Sequence, residues 1–323
     1  MDRTTWLSTD PTARARWCDE LLRRLPPGFA FDHLEGDVAC FRFAGVPFVF
    51  VPGGEVSLGF DPEGWTPNDD ELRSYAGSAA DYGLDASIHD HLARVLTRPR
   101  RATVPSLLVE VTPREPGWIE ISEEQARARM GDSFPAPLAN VTLVAGDERT
   151  EVRIGPDGTP TFRIASGQSH ADLARAIEPS RFPTSDAWEH LSGGGATTLF
   201  RWGDHAPCDL YPTDVSRSEA QWRRQWVLSA GKLERPSEPF APTHRMHTDP
   251  NGFGLTVSGN PYHAELTADP TIRRGGDGGC TICGGAGFFL GWLTLATAYF
   301  KPELIVVDAD EPVDGSYARM RRV

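Results

Sequence analysis

Behind Asp10-Pro11, the residues Trp17, Leu21 and Leu25 recur at helical spacing. An aspartate before a proline is a start signal, because the carboxylate caps free N–H groups and proline's fixed φ suits a first helical turn. A short amphipathic helix is expected there. From residue 38 the period shortens to that of strands, with β-prone runs at 38–43, 47–51 and 55–60 broken at Gly45 and at Gly53-Gly54, which reads as a meander. A polar loop over 61–70 leads to helical patterns at 70–82 and 88–96. Ser122 and Gln125 stand three apart, as a capping box requires. Three β-rich runs follow between 139 and 164, and Gly155-Pro156-Asp157-Gly158 is a turn that makes the last two a hairpin. Helices are expected at 169–177, 185–191 and 218–233, the last with Trp222 and Trp226 one turn apart. Such mixed elements, without an internal repeat, describe an α+β chain.

Composition narrows the class. Of 323 residues, 39% are hydrophobic and 10% aromatic, ample for a packed core. The formal charge of −13 and pI near 5.2 argue against nucleic acid or an anionic membrane as partner, since both are repelled at long range. The short basic clusters at 98–101 and 319–322 read as a solvated face and a frayed tail. The longest apolar run, 287–300, is shorter than the ~20 residues a bilayer span needs, and is expected as a buried core segment. Five cysteines in a chain of this length suit free thiols in a reducing compartment, and no apolar export signal opens the sequence, so a cytoplasmic location is expected. Cys18, beside the first helical stripe, is expected as a packed thiol.

Three stretches, in order, resemble the formylglycine-generating enzyme and sulfatase-modifying-factor superfamily. Residues 50–59, Phe-Val-Pro-Gly-Gly-Glu-Val-Ser-Leu-Gly, look like its opening strand pair. Residues 181–189, Arg-Phe-Pro-Thr-Ser-Asp-Ala-Trp-Glu, are similar to its Arg-Leu-Pro-Thr-Glu-Ala-Glu-Trp-Glu helix start, and Arg201-Trp202-Gly203-Asp204 follows like its Pro-Trp-Gly-Asp. Pro250-Asn251-Gly252-Phe253-Gly254-Leu255, then Gly259-Asn260, then Arg274-Gly275-Gly276, repeat its later signposts. The resemblance covers about half the chain. It implies an irregular, C-type-lectin-like α+β fold over residues 36–323, preceded by a helical extension at 1–35 and interrupted by an extra or diverged region near 65–168. The signposts have structural uses of their own: glycines where a Cβ would be penalised, Pro183-Thr184 to stop one segment and cap the next, tryptophans to fill the core.

In the catalytic members, a cysteine lies three residues beyond the serine of Arg-Gly-Gly-Ser and a second lies five further on. The pair binds Cu(I), which with O2 oxidises a substrate thiol. Counting from Arg274-Gly275-Gly276-Asp277, Cys280 falls at the first position, while Gly285 occupies the second and the other thiol is Cys283. Soft sulfur ligands favour Cu(I), and C-x-x-C places two on one ion. The implied function is an O2-dependent copper oxidase acting on a thiol-containing small molecule or peptide through Cys280 and Cys283. Three readings of that pair stay open: copper catalysis, a structural metal, or two packed thiols. The structural-metal reading takes zinc, with His244 and His247 completing a Cys2His2 set; a solvated loop is the plainer account of those histidines.

Departures from the family pattern bear on chemistry. Asp277 replaces the serine and disfavours neighbouring thiolates unless a cation compensates. His263, in Gly-Asn-Pro-Tyr-His-Ala where the family carries Gly-Asn-Val-Trp-Glu-Trp, is a candidate base or ligand beside a structural reading. Cys208 is a candidate third thiol. His89 and His91, two apart, are poorly placed for joint ligation. Asp204, Asp209 and Asn260 are loose candidates for the fold's calcium sites. The competing class is a non-catalytic, lectin-like binding module with structural cysteines, because one scaffold hosts unrelated functions.

Overall fold

The computed structural model describes residues 1–145, 148–155, 157–213, 246–276, 288–300, 310–315 and 317–323. Two aspartate caps start the chain. Asp2 accepts from the Thr5 N–H at 2.9 Å and begins α1 (Arg3–Ser8), and Asp10 accepts from the Ala13 N–H at 3.0 Å and begins α2 (Pro11–Leu22). The six residues of α1 are too few to show periodicity, which is why only α2 is legible in the pattern. Buried Arg14 joins the two, donating to the carbonyls of Trp6 and Leu7 at 2.9 Å each.

Beneath these helices lies an antiparallel sheet in the order β1 (Phe29–Glu35), β2 (Val38–Phe43), β3 (Val46–Val51), β6 (Leu107–Glu110). Its strands alternate. Ala39, Phe41, Phe48 and Phe50 meet Trp6 and Cys18 on one face, while Val49, Val51, Leu107 and Val109 meet Phe253, Leu255 and α7 (Ser185–Gly193) on the other. β3 is therefore buried on both sides and reads as an unbroken apolar run. β1 escapes prediction because a bulge at Asp32 interrupts its alternation: Phe31 pairs with Phe41, but His33, not Asp32, pairs with Cys40.

β4 (Gly54–Leu58) pairs with β5 (Arg100–Val104). The run expected to reach residue 60 stops at Leu58 because Gly59 turns at φ +84°, where a Cβ would fall 2.1 Å from the Arg98 carbonyl oxygen. A second four-stranded sheet has the order β7 (Trp118–Glu120), β10 (Pro160–Ala165), β9 (Glu148–Ile154), β8 (Val141–Ala145). On it packs α5 (Glu123–Met130), through Ala126 and Met130 against Val152 and Phe162. The Ser122–Gln125 capping box forms as expected. A three-stranded sheet follows the order β12 (Arg273–Gly275), β11 (Ala264–Leu266), β13 (Ala318–Arg319). α6 (His170–Ala176) packs near it through Leu173.

The largest core joins α3 (Asp69–Tyr82), α4 (Ile88–Val95) and α8 (Phe288–Leu293), with Trp65, Tyr75, Leu92, Phe200 and Trp292 at its centre. The described part of the apolar run at 287–300 is thus buried core, and no helix among the described residues is long and apolar enough to cross a membrane. The helix expected at 218–233, with Trp222 and Trp226, lies outside the described residues.

One reading of the charge pattern is overturned. The arginines near the end of the chain are no frayed tail: Arg319 and Arg321 are buried, and Arg321 makes two contacts of 3.2 Å with buried Glu265 while donating to the carbonyls of Glu110, Val111 and Thr256 at 2.7–2.8 Å. Five acceptors offset the cost of desolvating one guanidinium. Trp292 tests the largest core. Its indole N–H donates to the Leu210 carbonyl at 2.7 Å, and Trp292→Ala should lower unfolding free energy by about 3–5 kcal/mol in urea titrations. A loss below 1 kcal/mol would contradict this placement.

Candidate functional site

The three family-like stretches meet at one carboxylate. Thr184 caps α7, its hydroxyl accepting from the Ala187 N–H at 3.1 Å, and the helix is buried from Ala187 to Gly193. Trp188, Glu189 and His190 are all buried, so the Glu189 carboxylate must find partners inside the protein. It accepts from the Gly59 N–H of the first stretch, from Thr97 at 3.1 Å, from Arg100 at 3.0 Å and from Arg274 of the third stretch at 2.7 Å. Glu189 and Arg274 are 3% and 1% exposed. Burial brings the Arg274 guanidinium down to about 10, opposed by Glu189, so it remains a cation at neutral pH. Its guanidinium carbon lies over the Trp188 and Phe300 rings, 5.1 and 5.2 Å from their centres.

The other motif residues build the frame around this pair. Asn251 donates to the carbonyls of Leu191 and Ser192 at 2.7 and 3.1 Å, closing the end of α7, and accepts from the Phe253 and Leu255 N–H groups at 3.0 and 3.2 Å. Gly194 ends α7 at φ +61°, and a Cβ there would sit 2.8 Å from Asn251. Trp202 stacks on Phe200 at 4.8 Å and meets Trp292 edge-on.

Arg274 lies in β12, which runs towards Asp277, Cys280 and Cys283. Those three candidates, and His244, lie outside the described residues. The strand's exit is fixed by the Gly276 N–H donating to the His263 carbonyl at 2.9 Å. A small cavity of about 10 Å³ lies here, lined by Trp188, Ser258, His263, Arg274, Gly275 and Gly276 among others. On the other side of Glu189 opens a cleft of about 860 Å³, bordered by β4, Trp65, His190 and the Asp204-His205 turn. Sequence reading missed Glu189 and this cleft, since the partners of Glu189 are far along the chain. The available signal was an acid within a fully enclosed helical stretch.

His263 is held at both nitrogens. Arg319 donates to Nε2 at 2.7 Å, and a guanidinium only donates, so the ring proton sits on Nδ1 and goes to the Ser258 hydroxyl at 2.8 Å. Burial and then the Arg319 charge lower its pKa to about 4. His247 differs from the solvated loop expected of it: it is buried, with its ring edge-on to Trp292 at 4.9 Å. Cys208 is half-buried, and burial pushes its thiol up to about 12, so it stays protonated. His89 binds the Trp65 carbonyl at 3.0 Å while His91 packs on Tyr75, as separate structural groups. Asp204 and Asn260 serve their own turns, accepting from the Leu199 and Tyr262 N–H groups at 3.3 and 2.9 Å. Among the described residues, one group of side chains lies close enough together to share a metal ion: His33, Glu35 and Cys40, whose ligating atoms lie within 4.8 Å of one another.

No protein-family model matches the chain, and no curated protein matches it. The mixed α+β architecture stands on its own geometry. Glu189→Gln should cost about 3–5 kcal/mol in equilibrium unfolding, because it leaves Arg274 a buried cation without its counter-charge. A second expectation concerns acid. The unfolded His263 ring, with its ordinary value of 6.5, takes up a proton that the folded ring refuses until about 4, so stability falls as pH drops through that window. His263→Asn should flatten this limb in thermal melts; an unchanged slope would assign the acid sensitivity elsewhere.

Proposed function

We propose that this chain is a diverged member of the formylglycine-generating-enzyme superfamily, an O2-dependent oxidase of a thiol-containing small molecule or peptide, with Cu(I) held by Cys280 and Cys283. The supporting observation is the convergence of the three family-like stretches on Glu189, through Gly59 and Arg274. Residues that only resemblance links in the sequence are linked in space by one ion-paired carboxylate. The donor set fits the ion: two thiolates at C-x-x-C spacing suit a soft monovalent metal and leave room for a substrate sulfur. A bound Cu(I) would supply the place where thiolate and O2 meet.

The chain's own residues brace the strand that precedes that segment in the sequence. Arg274 fixes β12 against Glu189, and the His263 carbonyl holds Gly276 one residue before Asp277. His263 acts in this reading as a neutral positioning group, since Arg319 and Ser258 occupy its nitrogens. Asp277, in place of the family's serine, puts a negative charge three positions before Cys280 in the sequence, which in this reading favours a substrate carrying positive charge near its sulfur. The free thiols Cys18, Cys40 and Cys208 support a reducing compartment such as the cytoplasm.

One observation favours a second reading. The cleft of about 860 Å³ is walled by mixed polar and aromatic groups with no cysteine among the described lining residues, as a non-catalytic pocket for a small polar ligand would be. The two readings separate in a Cys40→Ser background, which removes the hairpin thiol. There, anaerobic Cu(I) titration against a competing chelator should show one tight equivalent, lost in the Cys280→Ser, Cys283→Ser variant together with thiol-dependent O2 uptake. Equal copper binding by both proteins would overturn the oxidase. Stoichiometric zinc retained by the protein and lost with His247→Ala would move the site to a structural metal.

A further inference from the structure

We propose that the outer end of the β1–β2 hairpin is a binding site for a zinc-class divalent cation, held by His33, Glu35 and Cys40 with one coordination position open. The proposal does not rest on the chemistry of the cysteine pair at 280 and 283.

Strand parity carries the argument. Phe29 opposite Phe43 and Phe31 opposite Phe41 set the inward face of the hairpin, so continued pairing would turn His33 inward and put Asp32 opposite Cys40. The extra residue at Asp32 reverses this. It places His33 opposite Cys40 and Leu34 opposite Ala39, so Leu34 returns to the core while His33, Cys40 and Glu35 share the outward face. A thiol, an imidazole and a carboxylate are thereby gathered with their ligating atoms within 4.8 Å of one another. A tetrahedral ion with bonds of about 2.0–2.3 Å needs ligand separations of about 3.5 Å. Rotation of the exposed His33 and Glu35 side chains closes that difference without moving the sheet.

The donor types select the metal. Sulfur with nitrogen and one carboxylate suits zinc and its neighbours and disfavours magnesium or calcium, which take oxygen alone. Three protein ligands leave a fourth position for water or an incoming group. Charge favours a dication as well. Asp32 stands 3.6 Å from His33 Nδ1 and is shared with Arg42 at 3.0 Å, so one further carboxylate faces the ring, the arrangement that orients histidines bound to metals. Cys40 is half-buried against the second face of the sheet, which anchors the sulfur, while the other two ligands reach solvent.

Cobalt(II) is the probe, because a thiolate bound to it gives a charge-transfer band in the near ultraviolet. In the full-length Cys280→Ser, Cys283→Ser protein, one equivalent of Co(II) should produce that band, and added Zn(II) should abolish it. Cys40→Ser should remove the band. His33→Ala and Glu35→Gln, both at exposed positions that leave the fold intact, should each weaken binding at least about tenfold, since even outer-shell partners matter that much. A band that survives Cys40→Ser, or Co(II) affinity unchanged by both His33→Ala and Glu35→Gln, would overturn the site. Loss of copper binding at the cysteine pair leaves this result untouched.

Discussion

A carboxylate and a guanidinium, both withdrawn from water, are the constraint on which the rest of this structure depends. Each alone would cost several kcal/mol to bury. Together, with Arg100, Thr97 and a backbone N–H as further partners, they become a junction tying β4, α7 and β12 into one frame. The requirement explains features that look unrelated. Gly59 turns sharply with its N–H pointing at Glu189, and α7 is capped at both ends where it delivers that acid from the stretch Ala187–Gly193, which is buried.

A second junction lies beyond β12, where Arg321 binds Glu265 and three carbonyls while Arg319 holds His263. The segment that carries Asp277, Cys280 and Cys283 therefore leaves the described structure from a strand braced on both sides. Such bracing suits chemistry that needs reactive groups at a defined place, and equally suits a structural cluster. The neutral, doubly bonded His263 shows how the second junction constrains the first, since its carbonyl ends the strand that holds Arg274.

Local signals were legible and non-local ones were not. The period of β2, the Ser122–Gln125 box and the Asp10 cap depend on neighbours in the chain, and each appears where the pattern puts it. β1 was hidden because one extra residue at Asp32 breaks alternation, and α1 because six residues carry no period. Arg321 reads as a solvated charge until Glu265, Glu110 and Thr256 are brought beside it, and His247 reads as a loop residue until Trp292 covers it. The motif stretches converge in space on Glu189, yet nothing in them showed that Glu189 is what they share. The cysteine chemistry rests on spacing and donor type, because those residues lie outside the described structure.

The distances along the chain that Glu189 bridges have a kinetic consequence. Its bond to Gly59 spans 130 positions, that to Arg100 spans 89 and that to Arg274 spans 85. Each contact closes a long loop whose entropy must be met before any reward arrives, which delays such pairings relative to the capped helices and the β1–β2 hairpin. A junction completed late holds the finished molecule shut more than it speeds its assembly. Glu189 is thus a latch on the native state, governing how often the frame opens rather than how quickly it forms.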